Sequence, residues 1–93
     1  MNQTQLRKYG LECLGTIIFI YVILMSNNAW MIGLALAIVI YIAGPVTGGH
    51  FNPAVTITMY AKKAIKMNDA IFYILSQVIG GLVALGLYKT MPM

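Results

Sequence analysis

Three long apolar stretches alternate with short polar segments along this chain, at residues 10–25, 30–43 and 70–88. A helix needs about 20 mostly apolar residues to cross a bilayer. The third stretch meets this length alone, and the first two meet it with their flanking turns. The pattern predicts an all-α membrane protein with transmembrane helices over about 9–26, 29–44 and 69–89. Gly44 and Pro45 are expected to end the second helix, because proline lacks an N–H.

Residues 45–62 interrupt this pattern with a polar, glycine-rich loop followed by a helix start. Asn52 is a good N-cap, and proline at the first helical position, here Pro53, loses no needed hydrogen bond. A helix from Pro53 to about Lys62 is roughly 15 Å long, half the hydrocarbon thickness. Irregular backbone at membrane depth must line an aqueous path or lie within protein, since lipid offers no hydrogen bonds. We therefore expect a re-entrant loop and half-helix over 45–62, within one domain spanning 1–93.

Composition and charge narrow the class of protein. With 60% hydrophobic and 9% charged residues, the 93-residue chain lacks the charge to cover a soluble domain. Its basic residues lie at segment ends, which suits lipid headgroups and indicates no nucleic-acid partner. The single Cys13 excludes an internal disulfide. The sequence holds no nucleophile–base pair and no metal-ligand cluster, so we expect neither an enzyme nor a cofactor or metal site.

The loops predict an orientation in the membrane. One side carries five positive residues, namely Arg7, Lys8, Lys62, Lys63 and Lys66. The other side carries Lys89 alone. Because positive loops stay in the cytoplasm, we expect the N-terminus inside and the C-terminus outside. Tyr9, Trp30 and Tyr88 fall near span ends, where aromatic anchors are expected.

The chain carries three short motifs, GGHFNPAVT at 48–56, ECLGT at 12–16 and QVIGG at 77–81. They resemble, in this order, the first Asn-Pro-Ala box, the Glu-x-x-Gly-Thr signature and the third-span Gln-x-x-Gly motif of the aquaporin, or major intrinsic protein, family. The resemblance covers residues 5–88 and corresponds to the first of two inverted repeats. It implies half of an aquaporin-like fold, with three spans and one re-entrant half-helix. The second box and its constriction arginine have no counterpart here.

The resemblance also implies roles for individual residues. It implies pore-lining or selectivity roles for Gly48, Gly49, His50, Asn52, Pro53, Ala54 and Ile32. Asn52 would donate to the solute, and carbonyls before it would accept. Glu12 and Gln77 would support the loop from behind. Water-selective members usually carry an aromatic residue or histidine where Ile32 lies, so Ile32 implies passage of larger solutes.

Purely structural roles remain as alternatives for Glu12, Gln77 and His50. Glu12 has an alternative partner in Lys8, one turn earlier on the same helix. Gln77 has an alternative partner on another helix, and His50 has a loop-bracing role as its alternative to lining the pore. These alternatives differ in where each side chain lies relative to the glycine-rich loop, which the sequence does not give.

These features predict a passive channel for water and small neutral solutes such as glycerol or urea. It would act as a homo-oligomer of half-size subunits, or with a complementary half-channel, because inverted repeats build their path at the repeat interface. The alternative is a non-conducting truncated subunit that packs with or modulates a full-length channel. The intact box favours conduction. The charge bias favours the alternative, since an inverted pair of identical copies requires opposite insertion.

Overall fold

The computed structural model describes residues 1–91, which contain four helices. They are α1 (Gln3–Met25), α2 (Ala29–Thr47), α3 (Pro53–Ala61) and α4 (Met67–Thr90). Three of them, α1, α2 and α4, are long and apolar enough to cross a membrane. The molecule measures 40 × 25 × 20 Å, and its long axis matches a bilayer of about 40–45 Å with headgroups. The predicted all-α fold with three membrane spans is confirmed.

Asparagine begins three of the four helices. Asn2 forms a reciprocal capping box with Gln5 at the start of α1. Asn28 caps α2, and Asn52 caps α3. In each case the side-chain oxygen accepts a backbone N–H that has no partner within the helix. The predicted helix start at Pro53 is therefore present, and α3 has nine residues. At about 1.5 Å per residue, α3 is too short to cross a bilayer.

The prediction that Gly44 and Pro45 end the second helix was wrong. Pro45 lies inside α2, which continues to Thr47. In the last turn, proline removes only the bond that its N–H would have given to the Tyr41 carbonyl. The helix ends instead at Gly48, whose φ of 90° is left-handed and whose N–H donates to the Gly44 carbonyl at 2.8 Å. A left-handed glycine is a common way to stop a helix.

Helix α1 packs against both α2 and α4, and α3 packs against α4. Close approach of α1 and α4 depends on Gly80. A Cβ there would lie 2.7 Å from the Cys13 carbonyl oxygen and 3.1 Å from the Thr16 Cβ. Small residues allow this kind of backbone contact between membrane helices. The largest fully buried side chains are Tyr73, Phe51, Glu12 and Thr56, so the best-packed region surrounds the loop between α2 and α3.

The expected aromatic anchors divide into two groups. Trp30 is 87% exposed at the start of α2, as an anchor in a membrane interface would be. Tyr9 is buried instead, so its assignment as an anchor was wrong. Its hydroxyl donates to Asp69 on α4 at 2.6 Å. The Lys8 ammonium lies 3.9 Å from the other oxygen of Asp69, so these groups join the polar ends of α1 and α4.

Candidate functional site

The backbone of residues 48–52 reverses direction between α2 and α3 through left-handed conformations. Gly48 and Gly49 have φ values of 90° and 68°, and Phe51 has a φ of 53°. Glycine adopts such angles freely, whereas a bulky side chain is strained there. The Phe51 ring is 2% exposed and lies against Gly15 of α1, where a Cβ would overlap it. Tight packing of this ring holds the strained residue in place.

The Glu12 carboxylate, fully buried on α1, receives four hydrogen bonds from the surrounding structure. One oxygen accepts the His50 N–H at 3.1 Å and the Thr47 hydroxyl at 2.8 Å. The other accepts the Phe51 N–H at 2.8 Å and the Gln77 amide at 2.9 Å. A carboxylate suits this position because it only accepts, and all four partners donate. The alternative pairing of Glu12 with Lys8 does not occur, since Lys8 lies beside Asp69.

Further hydrogen bonds connect α4 to the loop. The Tyr73 hydroxyl donates to the Thr47 carbonyl at 2.7 Å. The Gln77 amide nitrogen, besides bonding Glu12, lies 2.8 Å from the Thr56 hydroxyl on α3. That hydroxyl also lies 2.8 Å from Nδ1 of His50. Residues from α1, α2, α3 and α4 therefore meet in one buried polar network behind the loop.

Asn52 lies on the open side of the same loop. Its side chain is exposed, while the two residues before it, His50 and Phe51, are 6% and 2% exposed. The Asn52 Oδ1 accepts the Ala54 N–H at 2.7 Å. An asparagine amide has two N–H donors in addition to this oxygen. The cap therefore uses the acceptor, and the two amide N–H groups have no hydrogen-bond partner within residues 1–91.

An open groove of about 290 Å³ borders the cap. Phe51, Asn52 and Pro53 form one side, and mostly apolar residues of α1 and α4 form the rest. Gln77 also reaches this groove, and its Oε1 is the one buried side-chain oxygen or nitrogen without a partner in residues 1–91. Exposed Ala54 lies beside Asn52 at the tip of α3. The groove thus combines an apolar wall with amide groups at one edge.

The carbonyls of Gly48, Gly49 and His50 accept no hydrogen bond within the described residues. Gly48 is exposed and Gly49 is half-buried. Backbone carbonyls without an internal partner need water or another polar group. Three carbonyl acceptors therefore precede the amide donors of Asn52 in the sequence.

Ile32 lies apart from this network. It is half-buried near the start of α2, about 22 Å along the helix axis from Thr47, where the loop begins. Three residues of this network, Thr47, Thr56 and Tyr73, were not predicted as parts of the site. One signal was available, since Tyr73 precedes Gln77 by one helical turn and therefore shares its face.

Three spanning helices and a fourth too short to span, with an exposed cap on a buried loop, define a polytopic helical membrane protein. Residues 23–93 match the sequence profile of the major intrinsic proteins. The chain belongs to this family, whose members are channels rather than enzymes, and it is an integral membrane protein.

Relatives give the same family by name. Glycerol uptake facilitator protein-like 6 of Lactiplantibacillus plantarum is 39% identical over 94 residues, covering 91% of this chain and 44% of that protein. Aquaporin-5 of Sus scrofa is 33% identical over 94 residues, covering 87% and 36% respectively. Aquaporin Z of Photorhabdus laumondii is 50% identical over 52 residues, covering 56% and 22%. The chain thus spans less than half the length of these relatives.

Proposed function

We propose that this chain forms one wall of a passive transmembrane channel for water and small neutral solutes such as glycerol. In this proposal residues 45–62 are re-entrant, so that Asn52 lies near the membrane midplane. Glu12 and Gln77 fix the loop from behind. Gly48, Gly49 and His50 offer carbonyl acceptors, Pro53 and Ala54 shape the tip, and Ile32 contributes to the outer constriction.

The exposed amide of Asn52 carries this proposal. Its oxygen already accepts the Ala54 N–H, and its two amide N–H groups have no hydrogen-bond partner within residues 1–91. A donor without a partner is costly in hydrocarbon, by about 2–7 kcal/mol for a polar group transferred to an apolar medium. The amide is therefore favourable only where an acceptor reaches it, and in this proposal that acceptor is water or a hydroxylated solute.

Selectivity follows from the same arrangement. The N-terminus of a helix carries about half a positive charge, so a cation at the start of α3 meets an unfavourable field. Water or glycerol exchanges hydrogen bonds with the carbonyls and with Asn52, whereas an ion must give up its hydration shell. Half-helix dipoles are a known means of excluding cations in aquaporin-type pores.

One unit of this kind leaves its groove open on one side. We propose that another copy of the chain, or a complementary half-channel, supplies the facing wall, because inverted repeats form their site at the interface. The N-terminus and the lysine-rich segment after α3 would lie in the cytoplasm, and the C-terminus outside. Identical copies inserted the same way round cannot form an inverted pair, so in this orientation a homo-oligomer would have to enclose its path in another arrangement, whereas a complementary half-channel of opposite orientation could form the inverted pair.

Stopped-flow light scattering on proteoliposomes tests conduction. We expect vesicles with the purified, folded chain to pass water and glycerol faster than empty vesicles. Ile32→Phe should reduce glycerol flux more than water flux, whereas Met31→Phe, at the exposed neighbouring position, should change neither. Permeability equal to that of empty vesicles would reject conduction by this chain alone and favour the non-conducting subunit.

A further inference from the structure

The imidazole of His50 takes part in a buried chain of hydrogen bonds that the proposed function leaves unused. Its Nδ1 lies 2.8 Å from the Thr56 hydroxyl oxygen, which lies 2.8 Å from the amide nitrogen of Gln77. Thr56 is fully buried and Gln77 is 2% exposed. Water therefore does not complete these bonds, and the direction of each bond depends on which group holds a proton.

The proton of each bond can be assigned from the groups themselves. An amide nitrogen only donates, so Gln77 donates and the Thr56 oxygen accepts. The orientation of the Gln77 amide is fixed independently, because the same nitrogen donates to the carboxylate of Glu12 at 2.9 Å. The Thr56 hydroxyl keeps one proton of its own. The hydrogen bonds of residues 1–91 offer that proton one acceptor, Nδ1 of His50.

We infer that Gln77 and Thr56 hold His50 as the neutral Nε2–H tautomer, and that this N–H is a second donor for water or a hydroxylated solute. A neutral imidazole that accepts at Nδ1 carries its proton on Nε2. Gln77 and Thr56 are thus positioning residues that act through the ring. The tautomer stands on these bonds alone, whereas the donor role rests on the proposed function.

The ring presents this second donor at the start of the loop. A Cβ on exposed Gly48 would lie 3.3 Å from Nε2. Nε2 has no hydrogen-bond partner within residues 1–91. The one fully buried side-chain nitrogen or oxygen without a partner in these residues is Oε1 of Gln77, so Nε2 is not fully buried. It therefore reaches the surface beside Gly48, while the edge of Tyr73 packs against the ring, with centroids 5.0 Å apart. Asn52 and His50 then offer donors at opposite ends of the loop.

Nitrogen NMR on the protein in lipid bicelles tests the tautomer. The chain has one histidine, so ¹⁵N-histidine labelling with a histidine-free affinity tag gives one imidazole signal set. We expect Nε2 to be protonated and Nδ1 to show the shift of an unprotonated, hydrogen-bonded nitrogen. In Thr56→Val, Nδ1 should move to the shift of a nitrogen without a donor, and Thr56→Ser should restore it. A protonated Nδ1 in the neutral ring, or identical spectra for wild type and Thr56→Val, would overturn the inference.

Flux measurements test the donor role. Glutamine places an amide N–H near the position of Nε2, whereas phenylalanine keeps the ring without a donor. We expect His50→Phe to lower water flux about fivefold, the factor given by one net hydrogen bond, and His50→Gln to retain most of it. Equal flux in both variants, where the wild type conducts, would overturn the donor role. A wild type without flux would overturn the channel proposal together with the donor role, while the tautomer would still be decided by its spectrum.

Discussion

Two helices of this chain begin with the same asparagine cap in different surroundings. Asn28 starts α2 in a polar turn, where its side chain accepts the N–H groups of Trp30 and Met31 at 2.9 and 3.2 Å. Asn52 starts α3 on a loop whose preceding residues, His50 and Phe51, are buried and bonded to Glu12. Both caps accept backbone N–H groups in the first turn of a helix, two at Asn28 and one at Asn52. The difference shows that capping is a local property, whereas a site requires tertiary contacts that fix the backbone before it.

The largest expected effect on stability is at Glu12, which binds the backbone just before the Asn52 cap. Glu12→Ala leaves several buried donors without an acceptor, at about 1–3 kcal/mol each. We expect the free energy of unfolding to fall by at least about 3 kcal/mol, measured by far-UV circular dichroism during detergent-induced unfolding in mixed micelles. Asp69→Ala is the control, because its partners Tyr9 and Lys8 lie at the polar end of α1. Equal losses in the two variants would contradict a special role for the buried carboxylate.

A smaller effect is expected where Phe51 packs on α1. Gly15→Ala places a methyl group into the Phe51 ring and should cost about 1–3 kcal/mol, as overpacking does. Gly10→Ala, on the same helix with nothing within 4 Å, should stabilise α1 slightly, because alanine favours helix by up to about 1 kcal/mol. The same unfolding measurement applies. If both substitutions changed stability in the same direction, the close contact between Gly15 and Phe51 would be disproved.

The two caps should have similar energies, with Asn28 the stronger if either is, because it accepts two backbone N–H groups and Asn52 accepts one. Asn28→Ala and Asn52→Ala each remove an acceptor for backbone N–H groups, so each should cost about 1 kcal/mol. Unfolding of the two variants in the same micelles checks this. A loss at Asn52 several times larger than that at Asn28 would mean that its amide donors have partners in the isolated chain.

The smallest effect on stability should accompany a change in selectivity. Aspartate is as good a cap as asparagine, so Asn28→Asp and Asn52→Asp should both unfold much like the wild type. Only Asn52→Asp replaces a donor with a negative charge at the start of α3, which should weaken cation exclusion. Planar bilayer recordings should then show higher cation conductance for Asn52→Asp alone. Unchanged conductance in a water-permeable sample would contradict the proposed selectivity.

The spans and the start of α3 could be predicted from the sequence because they depend on local features. Apolar length gives α1, α2 and α4, and the Asn52–Pro53 pair gives the start of α3. The end of α2 was mispredicted, since Pro45 removes one bond in the last turn while Gly48 provides the stop. Buried status of Tyr9 was missed because its partner, Asp69, is 60 residues away.

The network behind the loop was only partly foreseen for the same reason. Thr47, Thr56 and Tyr73 are ordinary residues for helices in a sequence, and their hydrogen bonds arise from helix packing. The family resemblance predicted that Glu12 and Gln77 support the loop, but it did not predict the hydrogen bonds that connect them. Which hydroxyl or amide meets which carboxylate is decided by the distance between α1 and α4, which Gly80 sets.

Reactivity of a thiol at position 52 tests the central claim most directly, since thiols react as thiolates and need water. In a Cys13→Ser background reconstituted in bilayers, we expect Asn52→Cys to react with a small water-soluble thiosulfonate at a rate near that of Asn27→Cys in the polar turn. Leu34→Cys, on an exposed apolar part of α2, should remain unlabelled. An Asn52→Cys variant as unreactive as Leu34→Cys would contradict an aqueous path at the start of α3.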